Sequence, residues 1–451
     1  MDLYRAYLDS RRNATADQNS PQNQLMGHIV QLRQLLDKNG DRNQYYFYLR
    51  QLSKCLYHLG QQGEAYKALS LLPPDQIGDL DGLISIYEHN VPDQTNMTIE
   101  IITKCNLRCP LCVGGGDKRS DYDKLGRRMS LDDFKTIWDR VRDYTGLAIL
   151  VGLGETFLHP QVYEIIEYID KPIHIDTNGN VPLDHERVAR SNVSHLIFSI
   201  DGIDQRTYEK YRVGGHFSKA VQNLEQMVAA KRRLGRGPVI TFKYIVFKHN
   251  EMYVRQAADL ARQIGVDHFQ VSECGIGLGT DWELARQFIP CGKNAVSRIE
   301  CVDYKNNVVY PRPDLDSPHC TATFNNSVVC IDGSVRPCCG SNHDRVFGNL
   351  FEKSFLEIWK SESYKNFRLE TILNKFKFSD CRFCLMPNMT LGTLFDGTEL
   401  EYTKRGRPSD DSLYIRDIGI DEDYAKSLNE YELQYFIDSN KWPATAPPAD
   451  G

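Results

Sequence analysis

Between Met97 and Ser272 the chain alternates short apolar runs with helix-patterned stretches, and this rhythm leaves few folds open. The runs Met97–Ile102, Leu147–Gly152, Pro172–Asp176, His195–Ile200, Ile240–Phe247 and His268–Ser272 read as strands. The stretches Leu131–Tyr144, Gln161–Ile169, Asp184–Ser191, Thr207–Leu234 and Met252–Ile264 read as helices, the fourth interrupted near Gly214-Gly215. Ser130 precedes Leu131-Asp132-Asp133, a cap followed by acidic residues that suit the positive end of a helix. Strands alternating with helices predict a parallel sheet with right-handed crossovers. Six such units give an α/β fold, a partial (β/α)6 barrel smaller than the eightfold one. Reactive groups are then expected where the strand-to-helix loops begin.

Residues 94–289 are assigned to this barrel and residues 1–93 to a helical unit before it. Leu25, Ile29, Leu32 and Leu35 recur at helix spacing until Asn39-Gly40. The segment from Tyr45 through Leu59-Gly60 and Ala65 to Pro73 resembles a tetratricopeptide-like hairpin. One such unit cannot bury its own apolar face, so it packs on the rest of the chain or on a protein partner. Residues 290–390 form a cysteine-rich domain, and 391–451 a partly disordered extension with one helix near Tyr424–Ile437.

With 54 Lys plus Arg against 60 Asp plus Glu, the net charge of -6 gives no reason to expect a nucleic-acid partner. No signal peptide and no apolar run of membrane length is read, so a cytoplasmic protein without a membrane partner is expected. In that setting 13 cysteines point to metal binding or chemistry rather than disulfides.

Three of the cysteines lie on one loop past the first barrel strand, Cys105-Asn-Leu-Arg-Cys109-Pro-Leu-Cys112. Three thiolates leave one iron of a 4Fe–4S cluster open, whereas four close it. The alternative, a zinc knuckle, requires a fourth ligand nearby. The nearest downstream histidine, His159, is far along the chain.

Further motifs follow at the strand ends: Gly152-Leu153-Gly154-Glu155, Asp176-Thr177-Asn178-Gly179, Ser199-Ile200-Asp201-Gly202, then Tyr211-Arg212-Val213-Gly214-Gly215. With the cysteine loop, and in this order, they resemble the radical S-adenosylmethionine (radical SAM) superfamily over roughly residues 96 to 275. The resemblance implies that Cys105, Cys109 and Cys112 hold a 4Fe–4S cluster whose open iron binds S-adenosylmethionine. It implies further that Gly154 and Glu155 serve the methionyl amino group. Asn178, Ser199 and Asp201 are then ribose and carboxylate contacts, and Arg212 grips the carboxylate, a task suited to its fixed fork of donors. The family's usual turn has glycine before Gly154 and proline after Glu155; here Leu153 and Thr156 stand instead.

The later cysteines, from Cys320 through Asp332-Gly333 to Cys338-Cys339 and Cys381-Arg-Phe-Cys384, resemble a SPASM-type extension. It implies a second, auxiliary 4Fe–4S cluster held by Cys320, Cys338, Cys381 and Cys384, with Cys339 able to replace Cys338. Zinc is the alternative for such a thiolate set. Asp332-Gly333 reads as a hairpin turn.

Cys274 after the sixth strand is a candidate hydrogen-atom donor and otherwise a small buried hydrophobe. Glu273 and Asp281 are candidate proton acceptors by position; Cys55, Cys291, Cys301 and Cys330 read as structural. The expected enzyme cleaves S-adenosylmethionine to a 5′-deoxyadenosyl radical that takes hydrogen from an unactivated C–H bond. Its substrate is a sugar-like small molecule or biosynthetic intermediate, or alternatively a ribosomal peptide precursor, and its electrons come from an external reductant such as flavodoxin or ferredoxin. The non-enzymatic alternative is an iron–sulfur or zinc scaffold that recruits partners through the N-terminal helices.

Overall fold

The structure is a computed structural model that describes residues 95–112, 126–274, 282–292, 299–303, 308–311, 322–340, 345–374, 392–393 and 422–439. Tyr46, Leu49, Ser53, Ala65, Ala68, Leu72, Cys320, Phe378 and Cys381 are described singly. Of the expected N-terminal helical unit, Tyr46, Leu49, Ser53, Ala65 and Ala68 are helical, and Ser53 Oγ donates to the Ala65 carbonyl at 2.8 Å. The rest of that unit lies outside the described residues.

The strand–helix rhythm folds as its pattern dictates. Strands β1 (Thr95–Ile99), β2 (Thr145–Leu150), β3 (Ile173–Thr177), β4 (Val193–Ser199), β5 (Val239–Val246) and β6 (His268–Glu273) lie side by side in sequence order, all parallel. The helices between them are α1 (Leu131–Val141), α2 (Val162–Tyr168), α3 (His185–Arg190), α4 (Gln205–Glu209), α5 (Phe217–Leu234) and α6 (Val254–Ile264). One side of each of β1 to β5 is buried, through Met97 and Ile99, Ala148 and Leu150, Ile173 and Ile175, Leu196 and Phe198, Phe242 and Tyr244. Each large apolar side chain so removed from water contributes roughly 1.5–3 kcal/mol. The other side carries half-buried polar groups, among them Thr98, His174, Asp176 and Lys243. A filled barrel interior would be apolar; this one is built to meet something polar.

Ser130 caps α1 as its sequence implies, accepting from the Asp133 amide at 3.0 Å. The helical stretch expected over Thr207–Leu234 with an interruption near Gly214-Gly215 is two helices, Gln205–Glu209 and Phe217–Leu234. Gly214, at φ 84, takes a left-handed conformation that breaks the helix and frees Tyr211 and Arg212 for the strand ends.

Beyond β6, α7 (Trp282–Ala285) precedes an antiparallel hairpin of β7 (Ile299–Asp303) and β8 (Val308–Pro311). Strand β9 (Asn326–Val329) joins the free edge of β1 in parallel, with Met97 opposite Ser327. β10 (Ser334–Arg336) and β11 (Gly348–Asn349) continue antiparallel from it, and β12 (Gly392–Thr393) borders β6. The β9–β10 hairpin turns at Asp332-Gly333, where Gly333 has φ 78 and its amide donates to the Cys330 carbonyl at 2.9 Å. Helices α8 (Ala322–Asn325), α9 (Phe355–Lys360), α10 (Glu362–Asn374), α11 (Glu422–Lys426) and α12 (Glu430–Asp438) complete the described elements.

The chain forms two compact units, Met1–Asp93 with Pro318–Asn325 and Leu356–Arg382, and Gln94–Ser317 with Asn326–Phe355 and Phe383–Gly451. Within the segment 290–390, residues 318–325 and 356–382 fall in the first unit and residues 326–355 in the second. Its β9–β11 hairpins belong with the barrel sheet, because β9 takes up the hydrogen-bonding edge of β1. Within the other unit the Arg368 guanidinium lies over the Trp359 ring at 4.0 Å and donates to the Trp359 carbonyl at 2.7 Å.

Candidate active site at the strand ends

The cysteine loop leaves β1 through Glu100, whose amide donates to the Val329 carbonyl of the neighbouring strand at 2.9 Å. The Cys112 amide turns back onto the Cys109 carbonyl at 3.1 Å, which folds Cys109-Pro-Leu-Cys112 into one tight turn. Cys105 Sγ accepts from the Leu107 amide at 3.5 Å. Burial pushes the Cys105 thiol up, and pushes that of Cys109 up to about 11 against the Arg212 charge beside it. Both sense the charge of Cys112, and Cys109 that of Cys105, so the three thiols form one electrostatic group. Burial of this kind keeps thiols protonated until a metal displaces the proton.

Gly154 ends the β2 turn against this loop. A Cβ there would lie 2.5 Å from the Ile102 carbonyl oxygen and 2.7 Å from that of Lys104, so only glycine fits. The Glu155 amide donates to Lys104 O at 2.9 Å. Its buried carboxylate accepts from Thr177 Oγ1 at 2.8 Å, the Asn178 amide at 2.8 Å and the Phe157 amide at 3.2 Å. Burial nonetheless pushes this carboxyl up against those bonds. Glu155 thus ties the end of β2 to the end of β3. The two departures from the family turn are accommodated: the Leu153 amide donates to Glu100 Oε1 at 3.0 Å, and Thr156 Oγ1 donates to the Leu150 carbonyl at 2.8 Å.

Past β3, Asn178 Nδ2 donates to Asn106 Oδ1 at 2.9 Å and reaches Cys105 Sγ at 3.8 Å. Past β4, the fully buried Asp201 holds Arg212, with Nε 2.5 Å from Oδ2. The Arg212 Nη1 reaches Cys109 Sγ at 3.9 Å. Two thiol sulfurs therefore receive donors from different strand ends. Ser199, at the end of β4, is buried.

Below this rim the polar side of the sheet carries His174 Nε2 2.7 Å from Asp176 Oδ1, and Lys243 Nζ 3.3 Å from Asp176 Oδ2. Burial pushes the Asp176 carboxyl up, but His174 and Lys243 outweigh it and hold the carboxyl below its usual range. Ser199 pairs with Lys243 across β4 and β5, so both side chains share this face.

Cys274 is buried in an apolar cluster with Leu107, Cys109, Tyr211, Phe247 and Phe288, and burial pushes its thiol well up. That is the setting of a small hydrophobe. Glu273 ends β6, opposite Val246, with its side chain outside the described residues; Asp281 lies wholly outside them. His159 is committed elsewhere: Nε2 donates to the Met129 carbonyl at 2.8 Å while Nδ1 accepts from the Gln161 amide at 3.1 Å. It is thus not the fourth ligand of a zinc knuckle. Among the described residues no three His, Cys, Asp or Glu side chains converge on a single ion. A 4Fe–4S cluster makes no such demand, since each thiolate meets its own iron.

Of the second cysteine group, Cys320 is buried, its amide donating to the Thr371 carbonyl at 2.8 Å. Cys338 is buried just past β10, Cys339 beside it is exposed, and Cys381 is helical and buried. Cys384 lies outside the described residues.

Several supporting residues were given no role by the sequence, although Thr177 stands inside the Asp176-Thr177-Asn178-Gly179 motif. Glu100 braces the Gly152–Gly154 turn. Thr177 anchors Glu155. Buried Asn250 donates to the Asp201 and Ile245 carbonyls at 2.9 Å each and accepts from the Phe247 amide at 2.7 Å. The one signal was an asparagine closing a strand in Phe247-Lys248-His249-Asn250, where a side chain commonly caps its own turn.

Residues 99–261 match the family model of the radical SAM superfamily, and residues 320–385 that of SPASM, described as an iron–sulfur cluster-binding domain. The tungsten-containing aldehyde ferredoxin oxidoreductase cofactor-modifying protein of Pyrococcus furiosus is 27% identical over 317 residues, 63% of this chain and 86% of that one. The antilisterial bacteriocin subtilosin biosynthesis protein AlbA of Bacillus subtilis is 22% identical over 318 residues, 66% of this chain and 67% of that one. Mycofactocin maturase MftC of Mycobacterium ulcerans is 28% identical over 299 residues, 62% of this chain and 78% of that one. Among the described residues no helix is long and apolar enough to cross a membrane. With its cysteine loop, its strand-end motifs and both family matches, the chain is an enzyme of the radical SAM superfamily with a SPASM-type iron–sulfur extension.

Proposed function

We propose that Cys105, Cys109 and Cys112 ligate the catalytic 4Fe–4S cluster, and that Gly154, Glu155, Asn178, Ser199, Asp201 and Arg212 form the S-adenosylmethionine site. The observation that carries this reading is the pair of donors, Asn178 Nδ2 at 3.8 Å from Cys105 Sγ and Arg212 Nη1 at 3.9 Å from Cys109 Sγ. Donors to sulfur stabilise thiolate and tune a cluster's potential. When bound, the cluster supplies the electron that cleaves S-adenosylmethionine, and the 5′-deoxyadenosyl radical so formed takes hydrogen from a C–H bond of the substrate. The chain's own part is to hold, orient and shield. Asp201 fixes the Arg212 fork, and Glu155 locks two strand ends together. Leu107, Tyr211, Phe247 and Phe288 keep water from Cys109. Cys320, Cys338, Cys381 and Cys384 are proposed to hold an auxiliary cluster, with an external flavodoxin or ferredoxin as reductant.

The substrate is proposed to be a biosynthetic precursor matured by C–H modification, a peptide in the first place. Support comes from three relatives of 22–28% identity, whose names describe cofactor modification, bacteriocin biosynthesis and mycofactocin maturation. A second reading, a sugar-like small molecule, is favoured by the polar wall of His174, Asp176 and Lys243. Deuterium carried from a labelled candidate into 5′-deoxyadenosine tests both. Label from a peptide but not from free sugars or cyclitols supports the first, and the converse supports the second.

A further inference from the structure

Neither family match extends past residue 385, yet α12 is built into the barrel. Its Asn429 and Glu432 form a capping box, which fixes where the helix begins. Glu432 is almost fully buried, and its Oε1 accepts from Arg206 Nη1 at 2.9 Å and Tyr253 Oη at 3.0 Å. Tyr435 Oη donates to Glu251 Oε2 at 3.1 Å, and Tyr431 Oη donates to the Met252 carbonyl at 3.1 Å. Tyr435 and Phe436 pack with Met252, Tyr253, Cys291 and Ala425. A Cβ on Gly292 would lie 2.4 Å from the Tyr435 ring, so the floor beneath this helix is shaped to receive it.

The two elements that α12 grips flank Arg212. Arg206 lies on α4, which runs directly into Tyr211-Arg212. Glu251 and Tyr253 follow Asn250, the residue that holds the Asp201 carbonyl. The Ile245 amide donates to Asp201 Oδ1 at 2.7 Å, and the Phe247 ring lies 4.0 Å from that of Tyr211. A displacement of either element therefore reaches the Asp201–Arg212 pair through one contact.

We propose that the C-terminal helix is a strap across the barrel, and that Glu432 and Tyr435 are positioning residues that keep Arg212 on Asp201 and Cys109. Through Arg212 they set the affinity for S-adenosylmethionine. The inference rests on the place given to Arg212 above and extends it to a segment outside both family matches.

The test uses full-length, anaerobically reconstituted protein carrying Tyr435→Phe or Glu432→Gln. It measures the Kd for S-adenosylmethionine, the electron paramagnetic resonance change of the reduced cluster on adding it, and the unfolding midpoint. Each variant is expected to bind S-adenosylmethionine roughly five-fold more weakly, the worth of one hydrogen bond, with a reduced spectroscopic change. Tyr435→Phe keeps the ring and so decides the matter if Glu432→Gln does not fold. A lower unfolding midpoint with unchanged Kd and spectrum would overturn the strap and leave a merely structural helix. Wild-type protein that takes no S-adenosylmethionine would overturn the site assignment, and the strap with it.

Discussion

Asp201 holds the Arg212 guanidinium by its Nε, at 2.5 Å, and leaves the Nη1 edge to meet the Cys109 sulfur. The pair is buried, with the Asp201 side chain wholly covered and that of Arg212 12% exposed. Removing one member of such a pair strands the other charge. Asp201→Asn is expected to cost about 3–5 kcal/mol in denaturant unfolding. A loss below about 1 kcal/mol would mean that water compensates the guanidinium.

Gly154→Ala drives a methyl group into the backbone oxygens of Ile102 and Lys104, neither of which can swing aside. The expected penalty is about 1–3 kcal/mol, with displacement of the cysteine loop. Iron retained after reconstitution checks the second part. Full iron content at wild-type stability would contradict the close packing of these two loops.

Burial pushes Glu251 up to about 7, against hydrogen bonds from the Cys291 and Gly292 amides and Tyr435 and against the Lys248 charge. Its folded value stands above the unfolded one, about 4.3, so the folded state holds this proton more tightly. The stability it contributes is complete below about pH 4 and is lost as pH rises through about 7. Thermal unfolding between about pH 5.5 and 8 should show that loss in the wild type and a smaller one in Glu251→Gln. Equal slopes would exclude Glu251 as the group responsible.

Changing Cys381 and Cys384 to alanine is expected to lower the iron content from about eight to about four per chain. Bound zinc at unchanged iron would show that the second cysteine group is a zinc site.

Much of this architecture was legible because local pattern and tertiary role coincide. The strands from Thr95 to Glu273 carry their own apolar alternation, and the Gly154-Glu155 turn announces a place where backbone approaches backbone. The pairing of β9 with β1 was not legible, since it joins residues more than two hundred positions apart and no local rule selects that edge. The helix near Tyr424–Ile437 was readable, but its break before Asn429 follows from that residue's capping box. Its seat on Glu251 and Arg206 depends on polar side chains whose partners only the fold brings near. Glu100, Thr177 and Asn250 were missed for the same reason: each looks like ordinary strand-end chemistry until its neighbours are in place.

The most direct test compares wild-type protein with a Cys105→Ala, Cys109→Ala, Cys112→Ala triple variant after anaerobic reconstitution, measuring iron and the 5′-deoxyadenosine formed under reductant. The wild type should hold about eight irons and release 5′-deoxyadenosine, and the triple variant should hold about four and release none. Zinc in place of iron with no cleavage by the wild type, or cleavage that survives the triple substitution, would contradict the account.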